Sequence, residues 1–524
     1  MEWKFPYPSL RVPVLAANCV ATSQPLATQA GVAMLARGGS AVDAALAAAI
    51  TLTVVEPAMN GVGGDAFAIV AAEGKLHGLN ASGRSPAAWS PARFAGLSSM
   101  PANGWDSVTV PGAVSAWREL HARFGRLPFE TLFEPAIRYA RDGYLVTPVI
   151  SGLWRSQVES LGMFPQFARA FLPDGAAPQP GQVFRCPDLA GTLAEIAATR
   201  GESFYRGRLA ERIVAEARRG GGVMTADDLA EHRAEWVTPL GIDFAGFRVH
   251  ELPPNGQGIA ALMALGLIER LSLDDGAIDS AEAQHVAIEA MKLALADLRR
   301  HVADPAAMET SAEALLAPAY LDARARLVDR TKANAPAAGT PKRHGTVYLC
   351  AADAGGMMIS LIQSNFRGFG SGIVIPGTGI ALHNRGSGFV LEEGHPNRVG
   401  PLKRPLNTII PGFITRGGEP LAAFGVMGGT MQAQGHVQLV LRLLAAGQNP
   451  QAAIDGPRWR VEEGKVLVES LWKPEMRAAL GKLGHIVEPR PLTEFGASQV
   501  IWRLPEGGYV AASESRRDGQ AAGF

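Results

Sequence analysis

Apolar residues recur at helical spacing from Pro25 to Arg37 and stop at Gly38-Gly39, a C-cap signal. Ser40 then heads a second predicted helix, Ala41 to about Leu52, whose alanines permit close packing on a sheet and which Glu56-Pro57 breaks. After the loop Asn60-Gly61-Val62-Gly63-Gly64-Asp65 the run Ala66–Val70 reads as a strand. Further helices are predicted from about Val114 to Phe124, over residues 127–142 up to Gly143, at Leu193–Thr199 and at Leu209–Arg219. A strand follows around Phe247–Leu252. A long helix from Ser280 to about His301 carries Ala283, Val286, Ala290 and Leu293-Ala294 on one stripe.

The pattern changes after a segment rich in Ala, Pro and Lys, residues 304–345, in which Thr331 to Arg343 is expected to be mobile, as suits a processed linker. Thr346 begins an apolar strand through Ala352, the turn Asp353-Ala354-Gly355-Gly356 follows, and Met357–Asn365 is the returning strand. Thr408–Ile410 and Leu421–Met427 are the next expected strands, around the turn Gly417-Gly418. Gly428-Gly429-Thr430 then opens a helix from Met431 to about Ala446, stopped by Gly447 and Pro450.

A threonine at the start of a buried hairpin, directly after a linker, suggests a cut between Gly345 and Thr346. An N-terminal threonine places a hydroxyl nucleophile and an amine base on adjacent atoms. That α-amine, with a pKa of about 7.7–8.0, is partly neutral near physiological pH, whereas the uncut peptide nitrogen has no basicity. The diglycine at a helix N-terminus offers N–H donors for an oxyanion.

Composition narrows the classes. With 47% hydrophobic and 19% charged residues and zero formal net charge, the 524-residue chain is globular, and no basic run supports nucleic-acid binding. Three scattered cysteines, Cys19, Cys186 and Cys350, make neither a disulfide framework nor a metal motif. The N-terminus, Met1–Pro8, has neither a basic nor an apolar leader region, and Ala41–Val55 is too short and too polar for a membrane span; the expectation is a cytoplasmic protein without membrane contact. The glycine loop at 60–65 lies in the order helix, loop, strand, the reverse of a dinucleotide fingerprint. His285 and Glu289, one turn apart, read as a structural pair rather than a metal site. No cofactor is expected.

Gly345-Thr346-Val347-Tyr348-Leu349, Ser364-Asn365-Phe366, Gly370-Ser371-Gly372, Asn384-Arg385-Gly386, Lys403-Arg404-Pro405 and Gly428-Gly429, in that order and spacing, resemble the γ-glutamyltranspeptidase family, above all its γ-glutamyltransferase-like branch. The resemblance spans nearly the whole chain, including the ending Ser513–Gly519. It implies an α+β fold, a four-layer αββα sandwich of the N-terminal nucleophile hydrolase type. A large fragment, 1–345, and a small catalytic fragment, 346–524, would share one core, and a dimer of the processed pair stays open. It assigns Thr346 as nucleophile, Gly428 and Gly429 as oxyanion donors, and Asn365 as substrate-binding.

Several positions depart from that family's pattern. Gln363 stands where a threonine supports the catalytic amine. Arg385 and Gly388 occupy the positions of a glutamine and an aspartate that face the glutamyl group, and Asn407-Thr408 replace a serine pair. The arginine for the substrate α-carboxylate falls on Ser82, with Arg84 two residues on. A negative charge is lost and a positive one gained, with Arg385 either facing the pocket or turned away onto Glu392 or Glu393. The segment from Phe389 to Lys403 is short, so a lid loop is not expected. The leading function is an autoprocessed amidohydrolase or acyltransferase for small amides whose acyl group carries a carboxylate: γ-glutamyl compounds, or glutaryl- or oxamate-like monoamides. The alternative is an uncut binding homologue.

Overall fold

The computed structural model describes residues 10–273, 277–334 and 345–524; the expected leader-free N-terminus and most of the linker lie outside the described residues. Two seven-stranded sheets form the centre. One runs Gln520–Gly523, Cys19–Thr22, Gly345–Ala352, Met358–Phe366, Asp65–Ala72, Lys75–Asn80 and Glu235–Val237. The other runs Val14–Ala16, Tyr509–Ser513, Ala497–Arg503, Glu419–Met427, Gly412–Arg416, Phe247–Glu251 and Leu240–Phe244. Between the strands of the two sheets, pairing is antiparallel throughout.

Each sheet carries helices on its outer face, which gives the expected αββα layering. On the first sheet lies Ala41–Val55, in which every residue is buried. Its start is fixed by a reciprocal cap: Ser40 Oγ accepts from Asp43 N, and Ser40 N donates to Asp43 Oδ2 at 2.9 Å. Gly258–Leu271 covers the second sheet and packs on the long helix Ala281–His301. Two large apolar cores result: one runs from the helices on the first sheet through to the space between the sheets, and the other lies between the second sheet and its helices.

Both sheets interleave strands from before and after residue 345. Gly345–Ala352 pairs with Cys19–Thr22, Met358–Phe366 pairs with Asp65–Ala72, and Gly412–Arg416 pairs with Phe247–Glu251. A cut at 345 would leave either half with open sheet edges.

Two expectations differ in detail. Thr408–Ile410 is not a strand. Ile409 N donates to Asn407 Oδ1 and Ile410 N to Gln432 Oε1, so side chains satisfy the amides that a neighbouring strand would otherwise take; the strand begins at Gly412. Residues 127–142 split into a tight turn, Phe129–Phe133, and a helix, Glu134–Asp142, because Pro135 is suited to a first helical turn and to nothing further in.

Candidate active site

The hairpin that carries Thr346 is irregular at that residue. Gly345 pairs with Phe366 and Val347 with Gln363, so the register shifts across Thr346. A bulge of this kind re-aims one side chain. The next residues show which way the face looks: Tyr348 Oη lies 2.8 Å from Ser360 Oγ, which donates to Phe424 O of the opposite sheet. Further along, on that same inter-sheet face, come Thr346, two residues before Tyr348, and Ser364, four residues after Ser360. Thr346 Oγ1 donates to the Gly345 carbonyl at 2.7 Å and lies 3.1 Å from Ser364 Oγ. Ser364 Oγ also donates to Gly345 O, at 2.7 Å, and accepts from Phe366 N at 2.8 Å. Both residues are fully buried.

The diglycine approaches from the other sheet. Ser360, paired with Cys350, meets Phe424, whereas Tyr348 lies against Gly425. Glu419–Met427 therefore advances toward the Thr346 end of the hairpin as it nears Gly428. Gly428 and Gly429 hold φ of +126° and +63°, conformations that L side chains rarely adopt, and the helix Met431–Val440 starts behind them. Gln257 fixes this turn by donating from Nε2 to Gly429 O at 2.7 Å and to Thr408 O at 2.5 Å.

Asn365 is buried, and neither atom of its carboxamide has a hydrogen-bond partner among the described residues. The glycine loop makes its room: a Cβ on Gly61 would lie 3.2 Å from Asn365 Nδ2, and one on Gly64 would lie 3.1 Å from Oδ1. A buried amide left without partners is costly to the fold and marks a place where a ligand supplies them.

Other expected residues sit differently. Gln363 belongs to the opposite face of its strand. It donates to Asn60 Oδ1 at 2.7 Å and accepts from Trp117 Nε1 at 2.8 Å, so its amide is engaged in the helical layer and not beside Thr346. Arg385 is not a free cation, nor is it paired with Glu392 or Glu393. It forms a fully buried bidentate pair with Asp65, at 3.0 and 3.1 Å, donates to Thr408 Oγ1 at 3.0 Å and stacks 4.4 Å from the Phe366 ring centroid. Asn407 Nδ2 also donates to Asp65 Oδ2, at 2.7 Å. The lost carboxylate is thus matched by Asp65, at the end of the glycine loop, to which sequence reading gave no catalytic role. Arg84 is held in a half-exposed ion cluster, 3.0 Å from Asp304 and 3.4 Å from Glu235, which Arg404 also binds. Ser82 is buried, donating to Asn80 Oδ1 at 2.7 Å. Gly388 lies close to Leu406 O, with no side chain to offer.

A cleft of about 790 Å³ opens beside the scissile bond. Ala58, Met59, Arg367, Gly368, Asn384 and Gly428 are among the residues that line it. Residues 389–403 do not; they fold into a turn where Asn397 Nδ2 donates to Gly388 O and Lys403 Nζ donates to Pro396 O and Arg398 O. Sequence reading missed Ser364, Asp65 and Arg367. Alternation along the hairpin was the signal for Ser364; the other two depend on long-range contacts.

His285 and Glu289 gain a neighbour, His485, within ligand distance of one another. Hydrogen bonds already saturate the group. His285 Nε2 donates to Asp329 O, which leaves Nδ1 to accept from His485 Nε2 at 2.7 Å; His485 Nδ1 then faces Lys292 Nζ, which also binds Glu289. The lysine ammonium supplies the cation there, and the cluster ties the segment Asp329–Asn334 to the long helix.

Among the described residues no helix is long and apolar enough to cross a membrane, and the three cysteines are free and buried.

Comparison with known proteins agrees with this geometry. The chain is 35% identical over 512 residues to the glutathione hydrolase-like YwrD proenzyme of Bacillus subtilis, covering 95% of this chain and 97% of that protein. It is 36% identical over 518 residues to the oxamate amidohydrolase proenzyme of Klebsiella pneumoniae, with the same coverage. The crystal structure of cephalosporin acylase from Bacillus halodurans superposes with a TM-score of 0.96 at 45% identity, covering 100% of this chain and 99% of that one. The sequence profile of the γ-glutamyltranspeptidases matches residues 27–524. The chain belongs to the γ-glutamyltranspeptidase family.

Proposed function

We propose that this protein is an N-terminal threonine amidohydrolase that activates itself by cutting the Gly345–Thr346 bond, then hydrolyses small amides whose acyl group carries a carboxylate. The observation that carries this reading is the contact of Thr346 Oγ1 with the carbonyl of its own peptide bond, 2.7 Å away on the inter-sheet face.

In maturation, Thr346 Oγ attacks the Gly345 carbonyl carbon, the C–N bond breaks, and the nitrogen takes up the hydroxyl proton as a free amine. Water then hydrolyses the resulting ester, leaving a Gly345 carboxylate and an N-terminal Thr346. In turnover the α-amine accepts the proton as Oγ attacks the substrate amide, and returns it to the leaving amine. The Gly428 and Gly429 amides stabilise the oxyanion, and Asn365 offers its unpartnered carboxamide to the acyl chain. Water releases the acyl group. Fragments 1–345 and 346–524 stay together, because each sheet contains strands of both.

The relatives' names bear on the acyl group: they are a glutathione hydrolase-like proenzyme, an oxamate amidohydrolase proenzyme and a cephalosporin acylase. We place the present enzyme with those whose acyl group lacks an ammonium, since Asp65, the carboxylate beside Arg385, is already bound by Arg385 and Asn407. A denaturing gel and a panel of γ-glutamyl, glutaryl and oxamate-type amides test the proposal. Two fragments and turnover of the ammonium-free amides are expected. A single uncut chain without turnover supports the binding homologue instead.

A further inference from the structure

Three arginines line the cleft beside the scissile bond: Arg367, Arg460 and Arg517. Arg460 is 2.5 Å from Glu462 and 3.7 Å from Glu494. Arg517 donates to Thr493 O and lies in the field of Glu56, Glu514 and Asp518. Arg367 has no such acidic neighbours; its guanidinium carbon lies 5.3 Å from the Phe366 ring centroid, a contact that brings no counter-charge. No carboxylate among the described residues lies within ion-pair distance of it, and its Nε is buried without a hydrogen-bond partner. The linker outside the described residues, 335–344, contains neither Asp nor Glu.

Its base, in contrast, is fixed. Arg367 N bonds to Asn384 Oδ1 at 3.0 Å and Asn365 O at 3.1 Å. It directly follows Phe366, the ladder partner of Gly345, and a Cβ on Gly345 would lie 3.2 Å from the nitrogen of Gly368, the residue after Arg367. A rigid backbone beside the reacting bond therefore presents an uncompensated guanidinium to the cleft. Burial lowers its pKa, as does the nearby Arg385, and both effects favour capture of an anion over further cation.

We infer that Arg367 receives a free carboxylate on the acyl half of the substrate, so that the preferred substrates are monoamides of short dicarboxylic acids. The inference rests on the proposed amidohydrolase reading and assigns its specificity to Arg367 rather than to Arg385 or Arg84, whose guanidiniums are held by Asp65 and by Asp304 with Glu235. A planar guanidinium binds a carboxylate through paired, charge-assisted hydrogen bonds. An α-ammonium on the same acyl chain would meet Arg367 as a like charge, which selects against it.

The test uses the processed protein and product acids as probes: succinate and glutarate against butyrate, by titration calorimetry, in wild type, Arg367→Gln and Arg367→Lys, with circular dichroism as the check on folding. Wild type is expected to bind the dicarboxylates at least about tenfold more tightly than butyrate. Arg367→Gln should erase that preference, Arg367→Lys should keep part of it, and added salt should weaken it. Equal affinities in wild type, no binding of either dicarboxylate at millimolar concentration, or a preference that survives Arg367→Gln would overturn the inference. Failure of the amidohydrolase reading shows separately, as a chain that stays uncut on a denaturing gel.

Discussion

The Thr346 and Ser364 hydroxyls share one acceptor, each lying 2.7 Å from the Gly345 carbonyl oxygen. When Thr346 leaves that bond to attack, Ser364 remains as the donor that stabilises the growing oxyanion. Ser364 is held for this by the Phe366 amide. Ser364→Ala should slow self-cleavage by about a hundredfold, the usual cost of one oxyanion donor. A time course on denaturing gels measures it, and an unchanged half-time contradicts the role.

Asp65 and Arg385 form a pair with both side chains fully buried. Removing one partner leaves an uncompensated charge in the interior, at a cost of about 3–5 kcal/mol. Asp65→Asn is expected to lower the urea midpoint accordingly, and Asp65→Leu combined with Arg385→Met should lose less than either change alone. A double variant that loses the sum of the two single losses would show that the charges are not coupled.

Asn365 presents the opposite balance. Its carboxamide is buried and unpartnered, so it costs stability in the free protein. Asn365→Leu should leave the unfolding free energy within about 1 kcal/mol of wild type or raise it, while kcat/KM falls at least about tenfold. A variant that unfolds readily yet keeps full activity would make Asn365 a structural residue.

Acid stability should depend on Glu514. Burial alone would raise its pKa, but Arg458 and Arg516, both within 2.8 Å, outweigh this and hold it at about 2, below the usual 4.5. A carboxylate depressed in the folded state contributes stability that is complete above about pH 4.5 and is lost as pH falls through about 2. Thermal melts between pH 2 and 6 should therefore show an acid limb that Glu514→Gln flattens while lowering the melting temperature at pH 6. A limb of the same slope in the variant would exclude Glu514 as its source.

Most of the architecture was legible in the sequence because it is written locally. The cap at Ser40, the stop at Gly38-Gly39, the turn at Asp353–Gly356 and the glycines at 428–429 each act within a few residues. Thr408–Ile410 was misread for a related reason: a β-branched run reads as a strand, but Asn407 and the distant Gln432 satisfy its amides. The charge balance of the pocket was the least legible feature. Arg385 finds its carboxylate 320 residues earlier in the chain, at the end of a glycine-rich loop whose element order excluded a dinucleotide fingerprint and suggested no ion pair. Arg367 stands out only once Arg460 has found Glu462, and Arg517 the field of Glu56, Glu514 and Asp518, which requires the fold.

The central claim is that cleavage at Gly345–Thr346 creates the nucleophile. Intact-mass spectrometry of the protein, quenched during turnover of a slowly hydrolysed glutaryl amide, tests it most directly. The account predicts two chains, 1–345 and 346–524, with the added acyl mass confined to the smaller and located at Thr346, and a single unmodified chain for Thr346→Ala. An intact 524-residue chain that turns over the amide, or an acyl group on any other residue, would contradict it.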